Sequence, residues 1–325
     1  MPLGSPALVD ASRPVALDAP LFVILNVGSG KHDLGEVRSR LERKLTDAGR
    51  KFSLRIVSEA GDLPEVAAQV VAEARSAGGI VVGAGGDGTI SGVAGATLGS
   101  GCPFGVLPLG TFNYFSRTHG IPSELEAACD VLLGGRAFEV QVGLLNEAVF
   151  LVNASVGLYP KLLEDREEAK SRLGRSRLVA FGAALRTLLG AHRSLQLELE
   201  LGSGKRSLAT PTLFVGNNRL QLARVGLLAN EVIEHRRLVA LVLEPVGFIA
   251  MLRVMVRAAL GRLDQSEEVM SFDFSRMTVR PRRGHRRIKA ALDGEVTRLQ
   301  SPLVFRVAPE PLLLLRPPGV LEDPG

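Results

Sequence analysis

The chain has no tryptophan and only two cysteines, and each scarcity narrows what it can be. Cys102 and Cys129 form no Cys-x-x-Cys pair, which excludes a disulfide scaffold and a thiolate zinc site and leaves a reducing cytoplasm as the expected compartment. Aromatic residues make up 5% of the sequence, and no recognised reader motif interleaves its basic runs, so no nucleic-acid partner is expected. Apolar runs are short. None reaches 18 uncharged residues, and no transmembrane helix is predicted. Residues 1–20 lack a basic head ahead of an apolar block and do not read as a secretory signal. With Pro2, Pro6, Pro14 and Pro20 they are expected to form a flexible leader.

What is abundant is arginine, which supplies 32 of the 39 basic side chains and carries the net charge to +5. Such a surface suits anionic partners, and phospholipid headgroups fit better than nucleic acid. A length of 325 residues with 46% hydrophobic content exceeds what one core usually holds, so two domains are expected. From Leu21 to Leu107 short apolar runs alternate with helical spacing: strands at 21–27, 52–57, 80–82 and 104–107, helices at 32–50, 63–77 and 90–98. That alternation predicts parallel strands with right-handed crossovers, whose ligands bind beyond the carboxyl ends. After Gly135 the pattern changes to strands at 138–143, 147–156, 194–201, 206–216, 237–243, 269–280, 286–292 and 303–308, with helical insertions near 160–190 and 246–263. The expected fold is therefore an α/β nucleotide-binding domain with a parallel sheet at 21–135, followed by a mostly antiparallel β-sandwich with helical insertions at 136–310. Residues 311–325 form a C-terminal segment.

The chemistry concentrates in three glycine-rich turns. Gly85-Gly86-Asp87-Gly88-Thr89 lies between a strand and a helix. Its glycines let backbone N–H groups face an anion at a helix start, and Asp87 suits Mg²⁺ that bridges phosphate oxygens. Gly110-Thr111-Phe112-Asn113 follows the next strand, and Asn26 with Ser29 and Gly30 follows the first. Near the end, Asp293 and Glu295 flank Gly294. In extended chain they share a face, and paired carboxylates raise the pKa of one of them toward acid–base work. An Asp-Gly hairpin between strands 286–292 and 303–308 is the plainer reading of that turn.

These four motifs, in this order from about residue 21 to about 315, resemble the diacylglycerol kinase catalytic-domain family, which includes bacterial lipid kinases and sphingosine kinases. The resemblance implies ATP and Mg²⁺ in a cleft between two domains and a lipid hydroxyl as acceptor. It implies nucleotide contacts from Asn26, Ser29, Gly30, Ser58, Gly85, Gly86, Asp87, Gly88, Thr89, Ile90, Gly110, Thr111 and Asn113, with Asp87 on the metal. Glu295 is then the proton acceptor with Asp293 beside it, although either fits from sequence, and Leu312–Leu315 returns as a strand to the first domain. Two departures stand out: Tyr114 occupies a position where the bacterial branch usually carries Asp, and 230–235 lacks the Asp-Asp-Gly turn of a second metal site.

Two basic features bear on membranes: the amphipathic stretch 247–263 with Arg253 and Arg257, and the hairpin carrying Arg282, Arg283, Arg286 and Arg287. Each alone reads as a solvated edge or loop, while together with the motifs they suggest transient docking on an anionic inner membrane face. The expected activity is thus an ATP- and Mg²⁺-dependent lipid kinase. The rivals are a soluble-metabolite kinase of the NAD-kinase type, whose Asn-rich loop Asn217-Asn218 imitates, and a catalytically weak lipid- or nucleotide-binding protein, motivated by Tyr114.

Overall fold

The computed structural model describes residues 13–26, 33–134, 136–158, 160–161, 163–164, 194–202, 204–217, 222, 236–259, 266–282 and 286–317. The chain divides into two compact units, one of residues up to Val140 together with those from Pro309 onward, the other Gln141–Ala308. The architecture is the expected pair, an α/β unit with parallel strands and a mostly antiparallel β unit.

In the first unit β1 (Leu21–Leu25), β2 (Phe52–Ile56), β3 (Ile80–Gly85) and β4 (Phe104–Pro108) run parallel in the order β2-β1-β3-β4. Helices connect them. α1 (Leu34–Asp47) buries Val37, Leu41 and Leu45 at four-residue spacing, and its start is capped by the Asp33 carboxylate, which accepts from Gly35 N at 2.7 Å. α2 (Leu63–Ala77) buries Ala67, Val70, Val71 and Ala74 and ends at Gly78, whose φ of 62° lies where glycine is favoured. β3 and β4 are buried along their whole length, as expected of central parallel strands covered on both faces.

α3 (Asp87–Thr97) starts three residues earlier than its apolar spacing predicts, because Gly86 and Asp87 suit the first turn of a helix better than the loop before it. A short helix α4 (Tyr114–Thr118) and α5 (Leu125–Gly134) complete this half; neither stood out in the sequence. The sheet is extended by β18 (Leu312–Arg316), parallel to β4, and by β5 (Arg136–Val140), antiparallel to β18. The sequence reading places residues 136–140 in the second domain; they join the first sheet because the returning chain offers them a partner. Arg13 in turn bridges Ala137, and Ala19 is buried, so residues 13–20 are part of this unit rather than a loose leader.

The second unit is a sandwich of two six-stranded sheets. One has the order β10-β9-β14-β17-β6-β7, from β6 (Gly143–Leu145), β7 (Ala148–Phe150), β9 (Leu195–Leu201), β10 (Gly204–Thr210), β14 (Arg276–Pro281) and β17 (Leu303–Val307). The other has the order β13-β12-β11-β8-β15-β16, from β8 (Asn153–Gly157), β11 (Thr212–Gly216), β12 (Leu238–Leu243), β13 (Val269–Phe274), β15 (Arg287–Leu292) and β16 (Glu295–Gln300). Leu197, Leu199, Met277 and Phe305 from the first sheet interleave with Val156, Leu213, Ala240 and Ala290 from the second.

Three segments that read as single strands are each two. Residues 147–156 break at Leu151-Val152, 206–216 at Pro211 and 269–280 at Ser275, and at each break the chain changes sheet. Apolar alternation continues through such a corner because both halves face the same core, so the period alone does not reveal it. β12 is buried on both faces: Leu238, Ala240 and Val242 point into the sandwich, while Val239, Leu241 and Leu243 pack under α6 (Phe248–Ala259) through Met251 and Val254.

Candidate functional site

In the first unit the predicted residues gather at the carboxyl ends of the parallel strands. Asn26 follows β1 and donates its backbone N–H to Ala84 O at 2.9 Å; Ser58 lies exposed beyond β2; Ser29 and Gly30 fall outside the described residues. β3 leads into Gly85 and Gly86, and Gly86 caps α3 with no side-chain hydrogen bond at the helix start. The backbone amides of that first turn are therefore not consumed by a capping side chain, and the helix dipole favours an anion there. Asp87 opens the helix and is partly exposed, and Gly88 and Thr89 complete its first turn, in which Ile90 N donates to Gly86 O.

Two close approaches explain the glycines. A methyl group on Gly110 would lie 2.7 Å from Cα of Gly86, so the loop after β4 rests backbone against backbone on the loop after β3. A methyl group on Gly85 would lie 2.8 Å from Thr89 Cβ and 2.9 Å from Asn26 O. Thr89 is buried, and its side chain braces the turn. Asn113, at φ 49°, accepts from Gly110 N at 3.1 Å and donates to Gly110 O at 3.0 Å. Its amide thereby fixes the shape of the Gly110 loop, a positioning role that spacing did not reveal. Thr111 is exposed on that loop. Beyond it the rings of Phe112 and Tyr114 stack at 5.7 Å and 9°, so an aromatic pair stands where the resemblance leads one to expect a carboxylate.

The cradle suits a phosphate chain with Mg²⁺. Among the described residues no three His, Cys, Asp or Glu side chains converge. Mg²⁺ ordinarily takes one or two carboxylates and completes its shell with phosphate oxygens and water, which Asp87 beside an uncapped helix start accommodates.

In the second unit Asp293 and Gly294, at φ 49° and 93°, form the two-residue turn of the hairpin β15–β16, in which Leu292 pairs with Glu295. The expected extended arrangement is thus replaced by a tight turn, and the hairpin closes on residues 295–300, an edge strand the sequence reading missed, rather than on 303–308. The Asp293 carboxylate accepts from three successive backbone amides, Leu151 N at 2.8 Å, Val152 N at 2.8 Å and Asn153 N at 2.9 Å. It staples the hairpin to the corner between β7 and β8. Glu295 remains at the surface by its overall exposure, yet its carboxyl is pushed up from the ordinary value, first by local burial and second by the Asp293 charge. The group is open to an acceptor while its charge is disfavoured. The geometry separates two residues that sequence left interchangeable. Asp293 is bound to the scaffold, and Glu295 is presented.

The basic features divide as well. α6 spends Met251 and Val254 on protein, and Arg257 reaches Glu268 at 3.5 Å and Ser266 Oγ at 3.3 Å, leaving Arg253 and Val256 exposed. That is a packed helix with a solvated edge. Arg282, Arg286 and Arg287 are exposed, and Arg283 lies outside the described residues. Asn217 is buried, donates to Gln141 O and Leu151 O, and accepts from Gln141 Nε2 at 2.7 Å, so its amide belongs to the scaffold; Asn218 lies outside the described residues, as do 230–235. Among the described residues no helix is long and apolar enough to cross a membrane.

Comparison with known proteins bears on the first unit most directly. Residues 20–145 match the model of the diacylglycerol kinase catalytic domain. The chain is 34% identical over 160 residues to a probable lipid kinase YegS-like of Cronobacter sakazakii, covering 47% of this chain and 51% of that one. It is 37% identical over 137 residues to a probable lipid kinase YegS of Escherichia fergusonii, covering 40% and 44%. The matches thus span about half the length of these relatives or less. In structure the chain resembles a putative diacylglycerol kinase from Bacillus anthracis str. Sterne with a TM-score of 0.70 at 19% identity, covering 93% of this chain and 98% of that one, a likeness of fold. In residues 20–145, then, the chain is similar to the diacylglycerol kinase catalytic domain.

Proposed function

We propose that the protein is an ATP- and Mg²⁺-dependent kinase that phosphorylates a hydroxyl of diacylglycerol or a related lipid. The observation that carries this is the start of α3, a helix end without a side-chain cap, reached through two glycines and opened by Asp87. In phosphoryl transfer the protein mainly orients two oxygens in line and stabilises the charge on the moving group. The amides of Gly88 and Thr89 hold phosphate oxygens, Asp87 holds the metal side of the chain, and the Gly110 loop, kept in shape by Asn113, walls the cradle. Bound Mg²⁺ supplies neutralisation of phosphate charge. Asn26, Ser58, Ser29, Gly30 and Thr111 complete the nucleotide contacts. Glu295 takes the proton of the lipid hydroxyl as its oxygen bonds to the terminal phosphorus and ADP leaves, while Asp293 orients the hairpin that carries Glu295.

The working place is the cytoplasmic face of a membrane, visited transiently. Of the two basic features, Arg282, Arg283, Arg286 and Arg287 are the better docking elements, since α6 has its apolar side on protein. The NAD-kinase rival is weakened by Asn217, whose amide is spent within the scaffold. The decisive experiment is transfer of radiolabelled phosphate from ATP, with and without Mg²⁺, to a panel of lipids in vesicles and to NAD. Mg²⁺-dependent label in lipid is expected. Label in NAD alone assigns the soluble-metabolite reading, and ATP binding without transfer to any acceptor assigns the binding-protein reading.

A further inference from the structure

Between the sheets of the second unit lies a cavity of about 190 Å³ lined by Val156, Leu195, Leu197, Val279, Ile288 and Leu303. Its origin is visible in the chain. Gly157, at φ 101°, borders it, and a methyl group there would lie 2.3 Å from Pro211 O, so no side chain can fill this end of the sandwich. The lining is apolar, but Arg287 and Lys289 border it too. Lys289 is engaged by Glu164 at 2.7 Å and Arg280 by Glu200 at 2.6 Å. Arg287 is exposed and, among the described residues, meets no acid; Arg282 and Arg286 are exposed too, where the chain leaves β14 in one sheet and enters β15 in the other.

We infer that this cavity binds the chain of a free, medium-length fatty acid whose carboxylate rests on Arg287. Size and charge select the occupant. Set beside an apolar cavity that holds a six-carbon ring, about 190 Å³ takes a guest of little more than six carbons. That is one partial acyl chain, too little for two chains or a nucleotide, which points to a free acid over a bilayer lipid. A dry apolar cavity of about 150 Å³ already suffices to bind benzene, so the space is large enough to reward an apolar guest. Apart from Arg287 and Lys289 the lining side chains are apolar, which disfavours a sugar or peptide, and the two basic residues favour an acid.

This site is separate from the acceptor site. Arg287 and Leu292 stand at opposite ends of β15, and Leu292 pairs with Glu295. Five residues of strand place about 16 Å between them, so a head group on Arg287 is out of reach of Glu295. The site therefore senses an acyl acid rather than presenting a hydroxyl for phosphorylation.

Calorimetric titration of the full chain with hexanoate, octanoate, decanoate and octanol, without nucleotide, tests this. Saturable one-to-one binding is expected, tightening about fourfold per methylene until the cavity is filled and then levelling. Octanoate is expected to bind about tenfold more tightly than octanol, and Arg287→Glu to remove that difference while leaving octanol binding and the thermal melt unchanged. Leu195→Phe, at the partly buried edge, is expected to weaken both ligands. Binding that does not saturate, no dependence on chain length, or an Arg287→Glu variant that retains the preference for octanoate overturns the proposal. Binding of phosphatidylglycerol vesicles without binding of octanoate overturns it too, giving the cavity to bilayer lipid. Because no nucleotide is present, the outcome is independent of the kinase reading.

Discussion

The chain contains two Asp-Gly pairs, Asp87-Gly88 in the first unit and Asp293-Gly294 in the second, and the fold uses them in opposite ways. Asp87 is the first residue of a helix, partly exposed, where a negative charge complements the dipole. Asp293 sits in the left-handed region of a hairpin turn with its carboxylate on three backbone amides. A carboxylate so bound is part of the scaffold, and in the proposed mechanism the acid–base role falls to its neighbour two residues on. The dipeptide is the same, and what distinguishes the two is whether the following chain is a helix whose amides need an anion or a strand that must be held to a corner.

That contrast makes variants behave differently. Glu295→Gln is expected to slow transfer to lipid by about 10² to 10⁴ without loss of ATP binding, since it removes a proton acceptor and leaves the cradle intact. Asp87→Asn is expected to cost about 10² to 10³ in transfer, with stability changed by less than about 1 kcal/mol from the lost helix-start charge. Isothermal kinetics at saturating lipid and Mg²⁺ reads both, and near-normal turnover in either removes that residue from the mechanism. Asp293→Asn is expected to show its effect in stability, losing roughly 2 to 4 kcal/mol as charged acceptance of three amides is replaced by an amide side chain whose NH₂ opposes them. Denaturant titration measures it. An unchanged midpoint with lost activity would return Asp293 to the role of base and erase the contrast.

The first unit was more legible than the second for a reason these turns illustrate. β1, β3 and β4 are separate apolar runs that lead into asparagine or glycine, so their ends, and the residues gathered there, could be read directly. What spacing missed was backbone contact: the approach of Gly110 to Gly86 and the clasp of Asn113 on its own loop join residues by main-chain atoms, which carry no residue-type signal. In the second unit the corners at Leu151-Val152, Pro211 and Ser275 keep the apolar alternation while switching sheets. β16 is an edge strand of mixed polarity, Glu-Val-Thr-Arg-Leu-Gln, without a clean period, and its omission misassigned the partner of the Asp-Gly turn. The role of Asp293 depends on amides 140 to 142 residues away in sequence, which no local pattern encodes.

The smallest expected effect tests the electrical link within the second turn. Glu295 must be ionised to accept a proton, and its carboxyl is held above the ordinary value of 4.5, so the acid limb of lipid transfer should lie above that of a free glutamate. Burial is the larger cause and the Asp293 charge the smaller. The two respond differently to salt. Added salt screens the charge between neighbouring carboxylates near the surface but does not hydrate a crowded one. Raising ionic strength should therefore move the acid limb downward in pH, part of the way and no further, because screening a nearby negative charge makes Glu295 easier to ionise. In Asp293→Asn, assayed below its melting transition, the limb should already sit at the lower position and stop responding to salt. A limb that does not move in the native protein assigns the whole shift to burial and uncouples the two carboxylates. A limb in the variant that still tracks salt shows that another charge than Asp293 sets it.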